Sequence, residues 1–146
     1  MPRIERNAQV VWEGNVARGQ GRITAASGAF GDLPYSVATR IGSPEGKTSP
    51  EELLAAAHGG CFTMSLASEL VQAGTPPGRL VVDCQIVMDE VEGQGHQIVG
   101  SNVTVAAADV EGVDEAALRA AIAKADEGCP FSALLKRAGA TVQISL

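Results

Sequence analysis

Ser49-Pro50-Glu51-Glu52-Leu53-Leu54-Ala55-Ala56-Ala57-His58-Gly59-Gly60-Cys61-Phe62-Thr63-Met64 is the stretch whose reading fixes the architecture. Ser49 is placed to cap a helix. Pro50 has the backbone angle that suits the first helical position, and Glu52 stands where its side chain can reach back to the cap N–H. The helix should run to about Ala73, where Gly74 and Pro76-Pro77 stop it. From Leu53 to Leu66 it is apolar on most sides, which predicts a buried central helix. Ala55, Ala56, Ala57, Gly59 and Gly60 make it thin, so a second backbone or a partner helix can come close.

Strands flank this helix on both sides in the sequence. Ala8–Trp12 and Gly21–Ala25 read as short strands with a turn at Glu13-Gly14-Asn15, and Pro34–Ile41 as a third. Pro34 can open a strand without losing a ladder bond. A polar linker, 42–48, follows. Downstream, Arg79–Glu90 alternates, with Val82, Cys84, Ile86 and Met88 on one face; Gln97–Ala107 is its partner, with Val99, Val103 and Val105 together. Asp114 should cap a helix that reaches Glu127. Pro130–Ala138 is a short helix, and Ala140–Leu146 a last strand. The fold class is α+β.

At 146 residues the chain is expected to form one domain, 1–146. Hydrophobic residues make up 45% and aromatic ones only 3%, so Val, Ile, Leu and Ala must fill the core; apolar area left exposed would favour a dimer. The net charge is −6 and no basic stripe is present, which argues against nucleic acid. The Met1–Asn7 segment carries no apolar signal-peptide core, and no apolar run is long enough to cross a bilayer. The expected location is the cytoplasm, where thiols stay reduced. With three cysteines, two scattered histidines and no Cys-x-x-Cys, neither a full disulfide set nor a metal site is expected.

Two cysteines sit in settings that suit thiol chemistry. Cys61 is about two and a half turns into its helix, beyond the reach of the helix dipole, so it needs a cation from elsewhere to become a thiolate. Arginine suits that role, because it keeps its charge in a dry pocket and also binds oxyanions. Arg18 and Arg40, the latter at the end of the third strand, are both placed to serve. Read on position alone, Cys61 is more often a buried, inert helix residue than a reactive one. Cys129 precedes Pro130 and so falls at a helix start, where unpaired N–H groups lower a thiol pKa.

The carboxylates divide the same way. Glu52 completes the capping box, which leaves Glu51 without a local duty. Glu51 and Cys61 are about 80° apart around the helix and about 15 Å apart along it, so only a bridging side chain such as an arginine could join them. Cys84 reads as structural, His58 as a packed helix histidine one turn before Cys61, and His96 as a solvated turn residue.

Four segments together resemble the OsmC/Ohr family, its OsmC branch in particular. They are Val11-Trp12-Glu13-Gly14, Pro34-Tyr35 with Thr39-Arg40, Ser49-Pro50-Glu51-Glu52-Leu53 leading to His58-Gly59-Gly60-Cys61-Phe62, and Lys124-Ala125 leading to Gly128-Cys129-Pro130. The resemblance implies an OsmC-like fold, with antiparallel sheets wrapped around a long central helix in an intertwined homodimer. It also implies a peroxidatic Cys61, a resolving Cys129, an activating Arg40 and an orienting Glu51, with no cofactor. The Ohr branch would place the arginine near Arg18.

On this reading Cys61 attacks an organic hydroperoxide and becomes a sulfenic acid, Cys129 condenses with it, and an external dithiol such as a lipoyl-type carrier reduces the disulfide. Two other uses of the same features are a thiol redox sensor or oxidoreductase, and a module binding an apolar ligand without turnover.

Overall fold

Alternating residues and one tight turn build the first sheet. The computed structural model describes Met1–Leu146, in two compact units, 1–50 and 51–146. In the first, β1 (Ala8–Glu13) pairs antiparallel with β2 (Gln20–Ala25), which pairs antiparallel with β3 (Leu33–Tyr35). Gly21 lies under the Tyr35 ring: an added Cβ would sit 2.1 Å from it, so any larger residue would displace the tyrosine. Tyr35 in turn meets Trp12, with ring centroids 5.6 Å apart.

The third strand is shorter than expected. It ends at Tyr35, and Val37–Ile41 forms a short helix, α1, in place of the strand predicted to reach Ile41. Ser36 is the cause: its backbone is extended, and its hydroxyl accepts the Thr39 N–H at 3.2 Å. An N-cap outweighs the β preference of Val37, Thr39 and Ile41. Arg40 therefore sits in the last turn of a helix, not at a strand end.

The second unit is built on α2 (Pro50–Gln72), close to the predicted span. Its buried stripe is His58, Gly59, Phe62, Leu66 and Leu70, a spacing of one helical face. The rest is half-buried or open, with Met64 76% exposed, so within one chain only this stripe is covered. β4 (Arg79–Val91) and β5 (Gly95–Asp109) form a long antiparallel pair. Val99 and Ala106 are skipped in the pairing, which marks two β-bulges. The inward face of β5 is consequently Ser101, Val103 and Val105, while Met88 of β4 is exposed and Val99 is the bulged residue.

α3 (Glu115–Gly128), α4 (Pro130–Arg137) and β6 (Thr141–Ser145) complete the unit. Asp114 caps α3 as expected, accepting the Ala117 N–H at 2.7 Å. The sequence resemblance implied antiparallel sheets, but β6 pairs parallel to β5. The two helices between them supply the long crossover that a parallel pair needs. Phe62, Leu66 and Leu70 pack with Val103, Val105, Ala121, Ile122, Ala125 and Cys129 in one core. Phe62 is fully buried at its centre, and truncating such a residue to alanine costs about 3–5 kcal/mol.

Candidate active site

The site grows from the junction Gly128-Cys129-Pro130. Pro130 opens α4, where its missing N–H is no loss. Cys129 is held extended between two helices, ending α3 and capping α4. Its own N–H bonds to Asp126 O at 3.3 Å, and its sulfur accepts the Ser132 N–H at 3.5 Å. The cap position expected from sequence is thus occupied by a thiol in place of the usual hydroxyl or carboxylate.

Cys61, half-buried on α2, meets this junction. Cys129 and the backbone N–H of Phe131 both lie close enough to act on its ionisation. Burial pushes the Cys61 thiol above its ordinary value of 9.0; Cys129 adds to that rise, and the Phe131 N–H opposes it without reversing it. Cys61, Cys84 and Cys129 are all free thiols. The structure therefore brings the two singled-out cysteines together at one helix start.

A second cluster lies one helical turn before Cys61. His58 is fully buried, with Nδ1 2.7 Å from Ser101 Oγ and Nε2 2.8 Å from Ser132 Oγ. Burial lowers its pKa, so the ring is neutral, one nitrogen donating and the other accepting. Cys84 borders the cluster, 3.5 Å from Ser101 Oγ and 3.8 Å from His58 Nδ1. It also packs on the helix: a Cβ at Gly59 would lie 3.1 Å from Cys84 Cβ, so the glycine is what lets β4 approach. His58 is thus the packed histidine expected. Ser101 and Ser132 were not singled out; a serine in register with Val103 and Val105, and one three residues after the cysteine cap, are the only local signals.

Arg40 is exposed in α1, and Glu51 is half-buried in the first turn of α2; they belong to different compact units. Arg18 is presented by the turn between β1 and β2, its N–H bonded to Asn15 Oδ1 at 2.9 Å. It borders a cavity of about 390 Å³ together with Glu13, Asn15 and Arg22. An open groove of about 760 Å³ runs along the thin part of α2, between Ala55, Ala56, Gly60 and Met64 and the Leu80–Cys84 part of β4.

The sequence profile described as OsmC-like protein matches residues 42–145. Peroxiredoxin OsmC of Escherichia coli (strain K12) is 36% identical over 133 residues, covering 91% of each chain. An organic hydroperoxide resistance protein of Xanthomonas axonopodis pv. citri (strain 306) is 27% identical over 115 residues, 77% of each. The crystal structure of an organic hydroperoxide resistance protein OsmC from Legionella pneumophila has the same fold, with a TM-score of 0.72 at 21% identity over 95% of each chain. With both the profile and the 36% relative spanning most of its length, the chain belongs to the OsmC-like protein family.

Proposed function

We propose that this chain is a cysteine-based peroxidase that reduces organic hydroperoxides to alcohols, with Cys61 as the nucleophile and Cys129 as the resolving thiol. The observation that carries the reading is the meeting of two free thiols at the first turn of α4. The Cys61 thiolate attacks the outer peroxide oxygen. The O–O bond breaks, the leaving alkoxide takes a proton to become the alcohol, and Cys61 becomes a sulfenic acid. Cys129 sulfur then displaces that hydroxyl as water, and the Cys61–Cys129 disulfide forms. An external dithiol, such as a lipoyl-type carrier, returns both thiols by exchange.

Cys61 must first lose a proton that its surroundings favour keeping. A guanidinium supplies the opposing charge, and Arg40 is assigned that role, oriented by Glu51. The whole chain acts as one OsmC-like domain within a homodimer. The open apolar groove beside Gly60 and the exposed Met64 support a partner on that face. Cys61 and Phe131 both lie against the apolar core, which favours organic hydroperoxides over hydrogen peroxide.

Steady-state consumption of tert-butyl hydroperoxide with dihydrolipoamide as reductant tests the reading. Turnover by the wild type and none by Cys61→Ser is the expected result. Binding of apolar ligands with no peroxide loss would overturn it.

A further inference from the structure

The buried cluster around His58 has no part in the peroxide chemistry as described, yet it is fully connected. His58, Ser101 and Ser132 are all completely buried, and both ring nitrogens are engaged at 2.7 and 2.8 Å. Three elements meet through one ring: α2 through His58, β5 through Ser101, and α4 through Ser132. Buried polar groups cost stability unless satisfied, and here an apolar ring would fill the same space without that demand.

What the ring holds is the informative part. Ser132 uses two groups at once: its hydroxyl meets His58 Nε2, and its N–H meets Cys129 Sγ. The N–H of the residue before it, Phe131, is near enough to Cys61 to favour its thiolate. The ring is carried by α2, one turn before Cys61 itself. The tie His58–Ser132 therefore links the helix bearing one thiol to the helix start that holds the other. Ser101, on the long β4–β5 pair, holds the ring from its other nitrogen. A separate ion pair, between the half-buried Asp126 of α3 and Lys136 of α4, joins those two helices and does not reach α2.

We propose that His58 is a positioning residue for the resolution step: braced by Ser101, it fixes Ser132 and so keeps Cys129 aligned to attack the Cys61 sulfenic acid. The step requires the Cys129 sulfur in line with the Cys61 S–O bond as that bond breaks and water leaves. Peroxide attack at Cys61 does not involve Cys129. Loosening the first turn of α4 therefore slows the second step more than the first. A misplacement of about 1 Å in a reacting group is enough to cost on the order of a hundredfold.

The inference rests on the peroxidase reading above, and the two are tested apart in one experiment. Full-length wild type, Ser132→Ala and His58→Gln are mixed with one equivalent of tert-butyl hydroperoxide, well below each variant's Tm. Samples are quenched over time with dimedone and N-ethylmaleimide, and mass spectrometry follows sulfenic acid and disulfide separately. Both variants should form the Cys61–Cys129 bridge about tenfold or more slowly, relative to their own rate of Cys61 oxidation. With excess peroxide they should collect sulfinic acid at Cys61 where the wild type does not. Equal slowing of both steps, or slowing of neither, in Ser132→Ala overturns the assignment even if His58→Gln fails to fold. A wild type that forms no bridge at all overturns the peroxidase reading instead.

Discussion

Cys61 lies near Cys129 with both sulfurs reduced; Ser132 N–H bonds to the Cys129 sulfur at 3.5 Å, and the neighbouring Phe131 N–H favours the Cys61 thiolate. One helix start thus acts on both sulfurs in the direction that favours negative charge. The nearness of Cys129 also works against ionisation of Cys61, since the shared S–H favours the protonated form. On the proposed mechanism, attack by Cys61 therefore needs an added cation.

Loss of the nucleophile should separate from loss of a thiol. Cys61→Ser should reduce hydroperoxide turnover to the uncatalysed background while the far-ultraviolet circular dichroism and Tm stay near wild type. Cys84→Ser, beside Ser101 but away from the proposed reaction, should keep most of the activity. An inactive Cys84 variant with an active Cys61 variant would reverse the assignment.

The activating charge should be visible in the pH dependence. Burial and Cys129 hold the folded-state pKa of Cys61 above 9.0 in the single chain. With Arg40 in place, alkylation by monobromobimane should proceed well at pH 7. Arg40→Met should move the alkylation profile upward by two units or more, on the order of 3 kcal/mol of lost thiolate stabilisation. An unchanged profile in Arg40→Met, with a shifted one in Arg18→Met, would transfer the role to Arg18.

His58 gives stability a second pH dependence. Its folded pKa is held below 6.5 by burial, so below pH 6.5 the unfolded chain binds the proton first. Stability from this group is complete above that value and falls as pH drops toward the folded pKa. Urea unfolding midpoints should therefore fall between pH 7 and pH 5 in the wild type, and less steeply in His58→Gln. Parallel slopes in the two proteins would show that His58 does not contribute.

Gly60 tests the assembly. Nothing lies within 4 Å of the Cβ that a substitution would add there, so a single chain has room for a side chain. Replacing a helical glycine with leucine should even favour the helix, by about 0.5–1 kcal/mol. If a partner covers this face, Gly60→Leu should fold and yet weaken the dimer, as read by sedimentation velocity at micromolar concentration. A wild-type monomer, or a Gly60→Leu dimer of unchanged affinity, would remove this face from the interface.

Local chemistry made much of the architecture readable. The α2 span, the Asp114 cap and the Cys129 cap each follow from residues within a few positions of one another. The strand expected over Pro34–Ile41 failed because two local signals competed there, and the Ser36 cap outweighed the β-branched residues. Partners far apart in the chain left no such mark. Ser101 is 43 residues from His58 and Ser132 is 74, so only the folded chain reveals that one ring joins them. The parallel pairing of β6 has the same origin: it depends on where two helices return the chain.

The central claim is that Cys61 and Cys129 are one redox pair, and intact-mass and peptide spectrometry after one equivalent of organic hydroperoxide measures it most directly. The wild type should lose two hydrogens and yield a Cys61–Cys129 cross-linked peptide, while Cys129→Ser should gain oxygen at Cys61. A wild type that only gains oxygen, or that bridges through Cys84, would contradict the account.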